Sequence, residues 1–160
     1  MIRKVEQEDI KRCVEVIRKS FGTVADEFGF TIENASRFTA FATTEERINW
    51  HLNGECRPMY AYWEEGVIIG YYSLLIQDNN ECELNNVCVL PEYRHKGIGD
   101  KLLEHAFVIA KGLGCKKMNI GIVEENEILK KWYASYGFVH TGTQKYDFFP
   151  FTCGYMERGL

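Results

Sequence analysis

The spacing of apolar residues along the chain switches repeatedly between a period of about two and a period near 3.6, which predicts a mixture of strands and helices. Helices are predicted after Asp9, after Thr31, from a capping box at Thr43 (Thr-x-x-Glu), at 98–113 and at 126–136. Strands are predicted at 1–5, 59–63, 67–76, 81–89 and 117–123, with two more before the C-terminus. The predicted order of elements is therefore β-α-α-(α)-β-β-β-α-β-α-β-β.

A turn with two glycines lies between the strand at 81–89 and the helix at 98–113. We call residues 94–99 the glycine turn. The first N–H groups of a helix are unpaired and partly positive, and glycine lets an anion approach them. The turn is not a P-loop, because its glycines have the wrong spacing and no Ser or Thr follows the lysine. It is not a dinucleotide-binding fingerprint, because residue 102, where that pattern has its third glycine, is leucine. The turn predicts a phosphate site, with an ordinary tight turn as the alternative.

The strand before this turn changes the parity of its apolar positions. Cys82 and Leu84 occupy even positions, whereas Val87 and Val89 occupy odd ones, and two asparagines separate the pairs. A β-bulge produces such a change within one strand. An unbulged strand with both asparagines facing solvent is the alternative.

The third informative segment is 126–138, which runs from an asparagine suited to cap a helix to a Tyr-Gly-Phe end. Tyr133 lies on this helix beside Trp132, where a core tyrosine is the simplest interpretation. Asn126 is by itself consistent with a plain N-cap.

Together, Arg94-x-x-Gly97-x-Gly99 after a strand, the bulge-like strand and the 126–138 segment resemble the GNAT superfamily of acyl-CoA-dependent N-acyltransferases across nearly the whole chain. The resemblance implies a single α/β domain over residues 1–160. Its central sheet would be mixed and mostly antiparallel, with helices on both faces and with the fourth and fifth strands parallel and splayed apart. Acetyl-CoA is the implied cosubstrate, and no metal is implied. The implied cofactor-binding residues are Val87, Cys88, Val89, Arg94, His95, Lys96, Gly97, Ile98, Gly99 and Asn126. Asp100 departs from the family pattern, so its side chain is expected to point away from a phosphate.

The chemistry of the family assigns the remaining roles. An alkyl ammonium with a pKa of about 10.4 must lose a proton before it attacks a thioester. The resemblance implies Glu83 as the base, acting through water, with Glu81 or a water chain left open and an exposed strand carboxylate as its ordinary alternative. The N–H of Val89 is the candidate donor to the thioester carbonyl. Tyr133 is the implied acid for the departing thiolate.

Composition limits the partners. The chain has 46% hydrophobic residues, 26% charged residues and a net charge of −4, which argues against a nucleic-acid binder. Its longest apolar run is too short for a membrane span, it shows no apolar signal segment, and its six cysteines lack Cys-x-x-Cys spacing, so a cytoplasmic protein is predicted. The preferred function is acetylation of a small-molecule or peptide amine; a non-catalytic acyl-CoA sensor is the alternative, and a homodimer is left open.

Overall fold

One open sheet of seven strands organises the structure, a computed structural model that describes residues 1–160. The strand order is β1-β2-β3-β4-β5-β7-β6. The strands are β1 (Ile2–Lys4), β2 (Met59–Glu64), β3 (Val67–Ile76), β4 (Glu81–Val89), β5 (Lys117–Val123), β6 (Val139–Lys145) and β7 (Thr152–Gly159). The helices are α1 (Ile10–Phe28), α2 (Thr39–Ala42), α3 (Glu45–Asn49), α4 (Ile98–Gly112) and α5 (Glu127–Ser135). A π-helical turn at Trp50–Gly54 follows α3, and 3₁₀ turns occupy Gln7–Asp9 and Pro91–Tyr93. The predicted order of elements is confirmed.

Helices cover both faces of the sheet, as predicted. The central strand β3 is therefore buried on both sides. Ile68 and Tyr71 pack with the apolar stripe of α1 in one core. Ile69 and Tyr72 pack with α4 and with Tyr133 of α5 in the other. A strand buried on both faces reads as a continuous apolar run, which is the pattern at Val67–Ile76.

An aromatic cluster fixes the segment that follows α1 against the end of the sheet. Phe30, Phe38 and Phe151 are all buried, and Phe30 lies 4.8 Å from Phe151 and 5.0 Å from Phe38 between ring centroids. The cluster also contains Val123 at the end of β5. It thus packs residues of the 30–42 segment against the end of β5 and against Phe151, just before β7.

The sheet opens between β4 and β5, its only parallel pair. These strands pair at Glu81, Cys82 and Glu83 and then separate. A register shift in the β3–β4 ladder sets two residues of β4, Asn86 and Val87, against the single residue Tyr72 of β3. Asn86 lies within this shift at a φ of 56°, a left-handed conformation that asparagine tolerates well. The predicted bulge and the predicted splay are both confirmed.

Two local predictions were wrong. The N-cap of α3 is Thr44, not Thr43: Thr44 Oγ1 accepts from the N–H of Arg47 at 3.1 Å, whereas Thr43 Oγ1 donates to Thr39 O. The helix expected directly after Thr31 is a series of turns, and helix resumes only at Thr39–Ala42. Short segments held by aromatic packing carry too little periodic signal to fix their boundaries.

Candidate active site

The glycine turn presents a run of backbone donors. None of the N–H groups of residues 95–100 donates to a backbone carbonyl; the first bond of α4 is Lys101 N to Gly97 O at 3.1 Å. His95 and Gly97 adopt left-handed φ values of 62° and 77°, so that successive N–H groups converge in the manner of an anion nest. The one atom that a Cβ added at Gly97 would approach within 4 Å is Asp100 Oδ2, at 4.0 Å. The predicted phosphate site therefore has the geometry to hold a pyrophosphate.

Arg94 supports the turn from behind. Its Nε donates to Val89 O at 3.1 Å, its Nη1 to Thr23 Oγ1 at 2.9 Å and its Nη2 to Ser20 O at 2.9 Å. The guanidinium thus ties the glycine turn to β4 and to the last turns of α1. Direct contact of Arg94 with a cofactor stays a prediction, but its structural role is plain.

A cleft of about 610 Å³ extends from the glycine turn along the end of β4, at Val87 to Val89. Of the ten predicted cofactor residues, all but Lys96 line it; Lys96 is exposed at the rim with its Nζ 5.4 Å from the ring centroid of Tyr93. The opposite wall comes from α1 and α5, through Phe21, Val24, Leu129 and Trp132. Asn126 caps α5, since its Oδ1 accepts from Leu129 N at 3.2 Å, and it lines the cleft as well. The role of Asn126 as an N-cap and its predicted role in cofactor binding are therefore compatible with each other.

Asp100 joins the two helices that border the cleft. Its Oδ1 accepts from Trp132 Nε1 at 3.1 Å and from Tyr136 OH at 2.5 Å. This hydrogen bond raises the pKa of Tyr136 to about 12, because the adjacent carboxylate stabilises the neutral phenol. The unusual acid after the second glycine thus binds α4 to α5.

Tyr133 is a core residue, only 6% exposed, and does not line the cleft, although its neighbour Trp132 does. Its ring packs on Trp132 and Phe138, with centroids 4.9 and 5.3 Å away. Burial raises the pKa of its phenol, and the Cys88 thiol adds to the shift. The phenol stays protonated near neutral pH, which is the form required of an acid.

The edge of β4 beyond the bulge offers a further donor. Leu90 N donates to Ile69 O on β3 at 2.8 Å. Because successive N–H groups of a strand alternate in direction, the N–H of Val89 points to the other edge, into the gap left by β5. It lies in the cleft wall, as expected for a donor to a thioester carbonyl.

Glu83 and Glu81 have different surroundings. Glu81 forms an ion pair with Lys117 at 2.7 Å, and this contact lowers the pKa of Glu81. Glu83 forms no ion pair; its Oε1 accepts from Asn85 Nδ2 at 2.7 Å. Only Glu83 lines a second, smaller cavity of about 250 Å³, which continues along β4 on the other side of the bulge.

We call this second cavity the arginine pocket. Its other lining residues are Arg37, Thr39, Thr43, Arg47, His51, Arg57, Leu75, Asn85 and Asn86. Arg57 Nη1 donates to Asn85 Oδ1 at 3.0 Å, so a chain of hydrogen bonds runs from Arg57 through Asn85 to Glu83. The three arginines of this pocket were not predicted from the sequence, because they lie in short elements without a motif. The adjacent asparagines Asn85 and Asn86 of β4 were the feature of the sequence that could have indicated this pocket.

The structure contains neither a metal-binding cluster nor a helix able to span a membrane. The structure brings together no group of three or more His, Cys, Asp or Glu side chains that could hold a metal ion. None of its helices combines the length and the apolar character needed to cross a membrane.

The chain is similar to known acetyltransferases over most of its length. Residues 25–138 match the model of the acetyltransferase (GNAT) family. The spermidine N(1)-acetyltransferase of Thermoplasma acidophilum is 28% identical over 154 residues, which cover 92% of each chain. An uncharacterized N-acetyltransferase of Mycobacterium tuberculosis is 25% identical over 114 residues, or 71% of this chain and 73% of the relative. The crystal structure of the PaiA N-acetyltransferase from Thermoplasma acidophilum in complex with coenzyme A matches with a TM-score of 0.85 and 24% identity, over 100% of this chain and 98% of that chain.

Proposed function

Since the chain belongs to the GNAT acetyltransferase family, we propose that it moves an acetyl group from acetyl-CoA to a primary amine of a small molecule or peptide. The observation that carries the proposal is the run of six N–H groups at residues 95–100, which donate to no backbone carbonyl and all of whose residues except Lys96 line an open cleft. A pyrophosphate is the part of coenzyme A that such donors bind best.

Binding follows the direction of β4. The diphosphate accepts hydrogen bonds from the glycine turn, with His95 beside it. The pantetheine arm lies in the gap along Val87 and Val89, where the amide groups of β4 have no partner strand and add to it as an edge strand does. Asn126 and Leu129 of α5 close the gap from the other side.

The transfer is a direct attack of the amine on the thioester. A C–N bond forms and the C–S bond breaks. Glu83 takes one proton of the ammonium group through water, and Tyr133 gives its proton to the departing thiolate. The second proton, which the nitrogen loses as the amide forms, restores the phenol of Tyr133. The N–H of Val89 donates to the carbonyl oxygen as negative charge develops there. Val87 to Val89 of β4 line the cleft and Glu83 lines the arginine pocket, so the reacting atoms would meet at the bulge between them.

The test measures release of free thiol from acetyl-CoA across a panel of primary amines, for the wild type and for Tyr133→Phe. We expect kcat to fall roughly 10- to 1000-fold in the variant, with the Kd of coenzyme A nearly unchanged. Tyr72→Phe is the matched control: it removes a hydroxyl bonded to His105 Nδ1 at 2.7 Å, outside the cleft, and should leave kcat unchanged.

Three outcomes are informative. An unchanged kcat in Tyr133→Phe removes Tyr133 from the acid role. Tight coenzyme A binding with no turnover of any amine contradicts the enzyme proposal and supports the acyl-CoA sensor. Failure of the wild type to bind coenzyme A contradicts the assignment of the glycine turn.

A further inference from the structure

The arginine pocket carries an unbalanced positive charge. Three guanidinium groups line it, from Arg37, Arg47 and Arg57, against the single carboxylate of Glu83. Only Arg57 has an acidic partner, Glu55, at 3.1 Å. Arg37 stacks on the exposed ring of Phe148 at 4.2 Å from its centroid, and Arg47 makes no ion pair. Like charges brought together around a cavity repel one another unless an anion joins them.

The floor of the pocket holds donors that the fold leaves unused. The side chains of Arg57 and His51 are each only 12% exposed. Arg57 Nε and His51 Nδ1 are enclosed and have no hydrogen-bond partner. Burial, followed by the charges of Arg57 and Arg47, lowers the pKa of His51 to about 4, while Glu55 opposes this shift. His51 is thus neutral near pH 7, and the field around it is positive.

The arginine pocket also lies in a suitable position to hold the acceptor amine. It shares β4 with the cleft: Glu83, Asn85 and Asn86 line the pocket, and the next residue, Val87, lines the cleft. A molecule held by the arginines therefore has its amine beside Glu83 and next to the bulge. A volume of about 250 Å³ suits a compound of amino-acid size.

We infer that the acceptor is a small primary amine bearing an anionic group, a carboxylate or a phosphoryl group, which Arg37, Arg47 and Arg57 bind. The inference rests on the proposed function and names the substrate class of that same site. Planar guanidinium groups match both anions through paired N–H donors. A polyamine, with several positive charges and no anion, is the wrong partner for this pocket. The chain therefore differs in acceptor from its relative named for spermidine.

The experiment compares matched acceptors with acetyl-CoA and the full-length protein. L-α-amino acids are paired with their carboxamides, and phosphoethanolamine is paired with ethanolamine; spermidine completes the panel. We expect kcat/KM to be at least about 10-fold higher for the anionic member of a pair, consistent with hydrogen bonds to charged groups. The pair with the larger ratio identifies the anion as carboxylate or phosphoryl.

Arg47→Gln tests the pocket directly, since Arg47 is exposed on α3 and its loss breaks no ion pair. It should raise KM for the anionic amine about 10-fold, leave kcat near the wild-type value and leave the neutral amine unaffected. Arg12→Gln is the matched control, because it removes the same charge from an exposed site on α1. It should change neither constant.

The outcomes separate this inference from the proposed function. Equal kcat/KM values within each pair, a preference for spermidine, or an unchanged KM in Arg47→Gln overturn the anionic acceptor while acetyl transfer stands. No turnover of any amine overturns the proposed function, and the inference falls with it.

Discussion

Asp100 puts a negative charge beside the proposed phosphate site, and Asp100→Asn should therefore have opposite effects on stability and on cofactor affinity. The carboxylate holds Trp132 and Tyr136 of α5 while lying in the first turn of α4, in the wall of the cleft. Asparagine keeps an acceptor oxygen of the same shape but removes the charge.

The loss of stability follows from the two hydrogen bonds. Bonds to a charged group contribute about 1.5 to 3 kcal/mol and neutral ones about 0.5 to 1.5 kcal/mol. Asp100 and Tyr136 are only half-buried, so solvent screening reduces the difference for the pair to about 1 kcal/mol. The helix dipole adds a few tenths of a kcal/mol at this position. For a chain of this length, we expect Tm to fall by about 2 to 4 °C.

The gain in affinity follows from the removed repulsion. A single partly exposed charge pair is worth about 0.2 to 1 kcal/mol, so the Kd of coenzyme A should fall about threefold at low salt. The gain should shrink as ionic strength rises, because salt screens exposed charges over about 10 Å at 0.1 M. Thermal unfolding and calorimetric titration of coenzyme A at two salt concentrations measure both effects.

Glu104→Gln is the control for Asp100→Asn. Glu104 is exposed one helical turn further along α4 and makes no hydrogen bond through its side chain, so the same change of charge should leave Tm nearly unchanged. The reasoning is refuted if Asp100→Asn keeps the wild-type Tm, or if it weakens coenzyme A binding at low salt.

Two further predictions concern the glycine turn and the base. Gly97→Ala should weaken coenzyme A binding at least about 10-fold in a titration. Gly114→Ala is the control, because Gly114 has a similarly left-handed φ of 86° at the other end of α4; it should carry the same backbone strain and bind coenzyme A normally. Equal loss of binding in both variants would attribute the effect to strain alone. Glu83→Gln should lower kcat about 10- to 1000-fold, whereas Glu81→Gln should alter mainly stability through its lost bond to Lys117. A normal rate in Glu83→Gln would leave a water chain as the proton acceptor.

The elements with long, regular patterns were predictable from the sequence. The bounds of β4 and β5 agree with the alternation of apolar residues, and the capping residue Asn126 marks the start of α5. Short helices were not predictable, because α2 and α3 depend on contacts with α1 and on an aromatic cluster whose members are distant in sequence. Their boundaries are set by packing rather than by local preference.

The contacts of long side chains were the second feature that could not be predicted from the sequence. Arg94 belongs to a pattern that predicts phosphate binding, yet three of its nitrogens donate to α1 and β4, and its partner Thr23 lies 71 residues away. No local pattern indicates which of several neighbours a guanidinium will contact. The backbone donors of the turn were easier to predict, since glycine before a helix fixes their direction whatever the distant partners are.

The two asparagines of β4 connect the predicted part of the site with the part that only the structure reveals. A change of parity required an irregular residue in the strand, and Asn86 supplies it by adopting a left-handed φ. Asn85 then points to the other cavity, where it accepts from Arg57 and donates to Glu83. Beside this irregularity, Asn85 thus links the proposed base to Arg57. Recognition of an anionic acceptor and removal of its proton would therefore depend on one amide side chain.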